Sequence, residues 1–402
     1  MNISGKKILF VVSEDWYFSL HWLNLARAAR NAGFSVGVAT RLTGTAPPTL
    51  LTEGFEIFPL KCFSRRGLNP LRELAVIREL VKIYSTFKPD LVHHFVVKTC
   101  LVGTVAARLS GVPLILNANT GGGFVYTGQS VWRRILRKTI TKLFQLVFRS
   151  PRVHILLLND ADRLEFSALW RVPLERAWAV LGVPVDLSRF KATPEPTGTP
   201  TLLFAGRMLR DKGLPELLTA AITLREHGVD FRLLLAGEED PGNPASLTTV
   251  ELQALEDSGL IEWRRRERDM PALYSQSHIV LLPSYREGLG AVLIEGGACG
   301  RASIASNIPG CRDVVRDGET GILVSPHDAR ALTEAIRLLI SNVPLRQRLG
   351  QAAIHHVEQH FALPVVLGRY LELYRKLLGL AFTYVGAQTV SAEPSAPVAG
   401  RV

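Results

Sequence analysis

Four cysteines in 402 residues, Cys62, Cys100, Cys299 and Cys311, are too few and too widely spaced for a disulfide framework or a metal cluster. They read as reduced thiols of a cytoplasmic protein. Long apolar runs are also lacking. The run over 8–12 is too short for the core of a signal peptide. The one over 377–387 is interrupted by Thr383 and Tyr384, far short of the ~20 residues that a spanning helix needs. No segment is therefore expected to cross a membrane. There is no P-loop and no Cys/His cluster with zinc spacing, and no Asp-x-Asp metal motif is expected on a cleft-facing loop. Acidic side chains are outnumbered, 36 against 47 Lys and Arg, for a formal net charge of +11. That excess favours anionic partners such as nucleotides or acidic lipid surfaces. It is not gathered into a known nucleic-acid-binding module, so nucleic acid is not an expected partner.

What the chain does have is apolar residues, 47% of the total, enough for two cored domains. Strand-like runs over 7–12, 35–40, 91–94, 113–117, 154–158 and 177–181 alternate with helical spacing over 19–32, 70–87 and 99–109. Asn69-Pro70 supplies a cap and a proline at the first helical position. Asn159-Asp160 reads as another cap. The pattern restarts with strands over 201–205, 231–236, 261–263 and 279–282, then helices over 328–340, 344–360 and 363–378. Such alternation predicts an α/β protein of two Rossmann-like domains with parallel sheets. The expected boundaries are 1–190, a Pro- and Thr-rich linker over 191–200, a second domain over 201–362, a last helical segment over 363–387 and a disordered tail over 388–402.

Residues 277–300 organise the chemistry. A buried strand over 279–282 stops at Pro283, a polar loop follows, and an apolar helix begins at Ala291. A helix N-terminus after such a strand is an anion site. Glu287 lies in the loop and Glu295 inside the helix. A carboxylate beside a phosphate is useful when it accepts hydroxyls, and a nucleotide-sugar offers a hexose, a pyrophosphate and a ribose diol in a row. Upstream, Gly206-Arg207-Met208-Leu209-Arg210-Asp211-Lys212-Gly213 puts cations on a strand-exit loop, where Arg and Lys can neutralise a pyrophosphate.

G-R-x4-K-G followed by E-x7-E resembles the donor site of the retaining glycosyltransferases of family 4, which have the GT-B fold. The segments PDLVHHFVVKTCLVGTVAARLSGVP and LGVPVDLSRF resemble the same family over residues 5–380. The resemblance implies two Rossmann-like domains facing across a cleft, with the last helix crossing back to the N-terminal, acceptor-binding domain. It implies Glu287, Arg207 and Lys212 in catalysis, and Glu295, Gly206, Gly288, Leu289, Gly290, Trp263 and Arg264 against the donor. Arg264 stands where the family commonly has glycine. Asn119, Thr120, Gly121 and His94 are the candidates for the sugar side of the cleft, where many members carry a histidine. No metal and no cofactor are implied. The implied reaction moves a hexosyl or N-acetylhexosaminyl unit from a nucleotide-sugar, UDP by resemblance to the polyprenyl-diphosphate branch, to a lipid-linked saccharide in surface-polysaccharide or glycan assembly. A catalytically silent nucleotide-sugar-binding subunit and a nucleotide-sugar 2-epimerase on the same fold are the alternatives.

Residues 131–152 carry seven basic side chains and no acidic one, with apolar positions at helical spacing. Such a helix either lies in an anionic lipid interface or packs on the core with a solvated basic back. A lipid-linked acceptor favours the first reading and peripheral attachment to the inner face of the cell membrane.

Overall fold

The computed structural model describes residues 5–44, 53–64, 69–119, 131–241, 243–267 and 269–380, with the backbone alone for 131–136. Thr120 and Gly121 lie outside them. Seven strands form the first sheet: β1 (Lys7–Glu14), β2 (Ser35–Arg41), β3 (Glu56–Pro59), β4 (Leu91–Phe95), β5 (Leu114–Ala118), β6 (Val153–Leu157) and β7 (Ala177–Ala179). Their order is β3-β2-β1-β4-β5-β6-β7, all parallel. Six form the second: β8 (Thr201–Ala205), β9 (Arg232–Ala236), β10 (Glu262–Arg264), β11 (Ile279–Leu282), β12 (Ala302–Ser306) and β13 (Gly321–Val324). The second order is β10-β9-β8-β11-β12-β13, again parallel.

Central strands such as β1, β4, β8 and β11 are buried almost throughout because helices cover both faces. Strand order reverses between β1 and β4 and between β8 and β11. At such a switch point the exit loops diverge and leave a crevice. The loops after β8 and β11 thus become neighbours, although they are far apart in the chain.

Three strands escaped the sequence reading. β12 is Ala-Ser-Ile-Ala-Ser, small and polar in composition yet buried at every position. The Val343–His360 helix lies close to its start: a Cβ on Gly350 would meet the Gly300 carbonyl oxygen at 2.3 Å and the Ala302 nitrogen at 3.4 Å. β3 and β13 are sheet-edge strands with half-buried positions. The single helix expected over 19–32 is two, Asp15–His21 and Leu23–Asn31, broken at Trp22, whose indole packs against Phe95.

The Leu363–Leu377 helix crosses back onto the first sheet, where Val366, Tyr370, Leu373 and Tyr374 join Phe10, Trp22 and Phe95 in one core. The Tyr374 hydroxyl is 2.7 Å from His93 Nδ1. Residues 191–200 are pinned to the second half. Arg346 makes a two-pronged pair with Glu195 at 2.9 and 3.0 Å, Arg301 donates to the Pro194 carbonyl, and His278 Nε2 reaches the Pro196 carbonyl at 3.0 Å. The Pro-rich composition therefore marks a strap bound to one half of the molecule.

The Val131–Val147 helix turns Phe144 and Val147 into the first core, with Phe148 just beyond it. Of the two readings of this helix, packing on the core holds for Phe144 and Val147, with Ile140 packed partly against them. Arg137, Lys138, Lys142, Leu143 and Leu146 remain exposed on the opposite side. Among the described residues no helix is long and apolar enough to cross a membrane.

Candidate active site

After β8 the chain runs through Gly206 and Arg207 into a short turn, Arg210–Lys212, closed by Gly213 at φ +76°. A Cβ on Gly213 would meet the Pro283 carbonyl oxygen at 2.0 Å, so only glycine lets this turn lie against the exit of β11. Lys212 Nζ then sits 2.5 Å from Glu287 Oε1, both side chains largely buried. Two motifs separated by 75 residues meet here through the β8–β11 pairing.

The loop carrying Glu287 is held at both ends. The Tyr285 N–H donates to the Asp211 carbonyl at 3.0 Å, and the Tyr285 hydroxyl reaches both Glu216 oxygens at 2.9 and 2.7 Å. At the other end the Gly290 N–H donates to the Gly310 carbonyl at 3.1 Å. Gly310 has to be glycine, since its Cβ would lie 2.4 Å from the Glu287 carbonyl oxygen. Leu289, expected at the donor, is instead a core side chain under the loop.

Glu295 follows within the Ala291–Ala298 helix and accepts a hydrogen bond from the Tyr274 hydroxyl at 2.8 Å. Burial raises its pKa above the ordinary carboxylate range, opposed by the Tyr274 bond and by Arg189. A cavity of about 350 Å³ opens beside it, lined by Gly206, Arg207, Gly237, Glu267, Met270 and Val292 among others. Arg207 projects over this cavity, mostly exposed, and pairs with Asp240 at 2.7 Å.

Trp263 and Arg264 need correction. The Trp263 indole N–H donates to the Gly237 carbonyl at 2.9 Å, and the Gly237 N–H donates to the Arg264 carbonyl at 3.0 Å. They brace the Gly237 turn from behind, and the Arg264 guanidinium leans toward Glu262. Glu267 and Met270 line the cavity instead. The charged run 264–269 gave no sign of which residue would turn inward.

His94 also needs correction. It is fully buried, with Nδ1 donating to Asn117 Oδ1 and Nε2 accepting from the Tyr84 hydroxyl, each at 2.9 Å. Burial pulls its imidazole down to about 4, partly opposed by the Asn117 bond. A Cβ on Gly103 would strike the ring, so the Val97–Leu109 helix covers it completely. His94 is a core residue. Asn119, at the end of β5, is buried as well and lines a small void with Cys100, Phe144 and Trp170.

An Asp-x-Asp sequence does face the donor loop, contrary to expectation. Asp160 and Asp162 open the Asp160–Trp170 helix, with Asp160 paired to Arg163 and Asp162 held by Asn159 and by Arg286 from the donor loop. Among the described residues no group of three or more His, Cys, Asp or Glu is arranged to hold a metal ion.

Residues 187–356 match the family described as glycosyl transferases group 1, and residues 7–150 match the family described as glycosyl transferase 4-like. The chain is 25% identical over 329 residues to the N,N'-diacetylbacillosaminyl-diphospho-undecaprenol alpha-1,3-N-acetylgalactosaminyltransferase of Campylobacter jejuni, covering 79% of this chain and 85% of that one. It is 23% identical to the capsular polysaccharide biosynthesis glycosyltransferase CapM of Staphylococcus aureus, covering 80% and 85%. Among solved structures, Anabaena HepE in complex with UDP and glucose superposes with a TM-score of 0.75 at 16% identity, over 92% of this chain and 100% of that one.

Proposed function

Since the chain belongs to the family-4 glycosyltransferases of the GT-B fold, we propose that it moves a hexosyl or N-acetylhexosaminyl unit from a UDP-sugar to a lipid-linked saccharide, with retention and without a metal. The observation that carries this reading is the meeting of Lys212 with Glu287 at the β8–β11 crevice, beside the cavity that Glu295 and Arg207 line. In this reading the diphosphate lies over the N-terminus of the Ala291–Ala298 helix. Lys212 and Arg207 offset the charge that develops on it as the bond to the sugar's anomeric carbon breaks. Glu287 accepts hexose hydroxyls and Glu295 accepts the ribose diol. The acceptor hydroxyl attacks on the face that the diphosphate leaves, and its proton passes to the departing diphosphate oxygen. No protein base is required.

A thermal-shift panel of UDP-, GDP- and ADP-sugars tests the donor, followed by NMR of the product's anomeric configuration. The UDP-sugar stabilises most, by about 2.7 kcal/mol at 100 times its Kd, and the new linkage keeps the donor's configuration. Purified protein that binds no donor, or returns it epimerised, overturns the reading.

The lipid-linked acceptor is supported by the undecaprenol-linked substrate in the name of the Campylobacter relative. Attachment of the N-terminal half to an anionic membrane surface is supported by the outer face of the Val131–Val147 helix, where Arg137, Lys138 and Lys142 stand beside exposed Leu143 and Leu146. Each basic side chain near such a surface contributes about 1 kcal/mol. Reversing all three to Glu is expected to abolish sedimentation with anionic liposomes while sparing transfer to a short water-soluble acceptor. Unchanged sedimentation would make this an idle face.

A further inference from the structure

The loop that presents Glu287 is anchored by its own half at Tyr285 and at Gly290, but the residues on either side of Glu287 are held from across the cleft. The Gly288 carbonyl accepts a hydrogen bond from Asn159 Nδ2 at 2.7 Å. The Arg286 guanidinium reaches Asp162 at 3.2 Å and Glu165 at 2.9 Å, and lies 5.5 Å over the Phe166 ring. Asn159, Asp162, Glu165 and Phe166 all belong to the N-terminal half, at the head of the helix that follows β6.

We propose that Asn159 and Asp162 are positioning residues for Glu287, forming a latch through which closure of the two halves sets the shape of the donor loop. The proposal rests on the glycosyltransferase reading and adds residues that act through Glu287 without touching substrate.

The choice of residue at 159 exceeds what its helix needs. Capping requires one acceptor, which Asn159 Oδ1 supplies to the Asp162 N–H at 2.6 Å. Serine or aspartate would cap equally well. Aspartate would bring no donor and serine a single short O–H, whereas the amide offers two N–H donors on the same fully buried side chain, and Asn159 Nδ2 donates both to Asp162 Oδ2 at 3.1 Å and to Gly288 at 2.7 Å. Asp162 is buried too, so its charge depends on Asn159 and on Arg286 arriving from the other half. When the halves part, Gly288 and Arg286 lose these partners together, and the loop keeps the contacts made by its own half, the two end anchors, the packed Leu289 and the Lys212 pair. A misplacement of about 1 Å from a change away from the reacting atoms can cost about a hundredfold in rate. The donor cavity itself is lined wholly by the second half. Nucleotide binding and loop positioning are therefore separable.

Three variants of the full chain test this. Asn159→Ser keeps the cap but is too short to reach Gly288. Arg286→Glu removes the ion pairs, and Arg286→Glu combined with Glu165→Arg restores an opposite-charge pair with the signs exchanged. Both single variants are expected to lower kcat by about ten- to a hundredfold, to leave UDP affinity unchanged by calorimetry, and to enlarge the radius of gyration in solution scattering. The exchanged pair recovers part of the lost kcat and of the compaction. Wild-type kcat in both single variants overturns the latch, as does a fall in kcat with unchanged compaction, or a loss of UDP affinity that tracks the loss of kcat. Should the wild-type chain transfer no sugar at all, the functional reading fails, while UDP affinity and compaction still decide the latch.

Discussion

Replacing Lys212 with alanine is expected to lower kcat/KM for sugar transfer by about 10²–10³-fold, the cost of losing one preorganised stabiliser of developing negative charge. Two effects act in the same direction. In the proposed mode the leaving diphosphate loses a largely buried cation, and Glu287, whose side chain is only 12% exposed, loses its ion-pair partner at 2.5 Å. Glu287 then stands as an unpaired, mostly buried carboxylate beside the position assigned to the diphosphate. Arg207→Ala is expected to cost less. Its side chain is 62% exposed and already engaged by Asp240, so water screens much of what it contributes. Steady-state kinetics of the two variants with a UDP-sugar checks the ranking. Equal effects would mean that the diphosphate lies over Arg207 and not in the β8–β11 crevice.

Arg346→Ala is expected to destabilise the protein by about 3–5 kcal/mol, the range for breaking a buried ion pair from one side. Arg346 is 4% exposed and binds Glu195 with two nitrogens, and its Nη1 also donates to the Leu339 carbonyl at 2.7 Å. Truncation strands the Glu195 carboxylate and that carbonyl together. Removing both charges, as Arg346→Met with Glu195→Gln, is expected to recover much of the loss, because no charge is left buried. Urea unfolding of the three proteins decides it. A single-variant loss below about 1 kcal/mol would place the pair among exposed surface bridges. The pair also straps residues 191–200 to the second half of the chain.

The fold class follows from local pattern. Apolar runs such as Ile279–Leu282, each cut off by a turn residue and followed by helical spacing, can be buried on both faces only in a parallel sheet covered by helices. G-R-x4-K-G and E-x7-E are likewise legible, since each lies on a single strand-exit loop or on the helix behind it. Other features depend on which elements become neighbours, and local pattern carries no information about that. The Lys212–Glu287 contact exists because β11 inserts beside β8 and not beside β10, its predecessor in the chain. His94 sits in a strand whose two faces are both buried, so a histidine expected at the cleft is sealed by Tyr84, Asn117 and the close approach of Gly103. Trp263 is placed against the donor by the family resemblance, but β10 pairs with β9 and its indole donates to the Gly237 carbonyl. Asn159 reads in the sequence as a helix cap, which it is. Its second bond, to Gly288, spans 129 positions of the chain and exists only where the two halves meet. Hydrophobic periodicity and capping chemistry act over a few residues. Strand order and the approach of the two halves are set by which faces can be buried together, and that is settled by the whole chain at once.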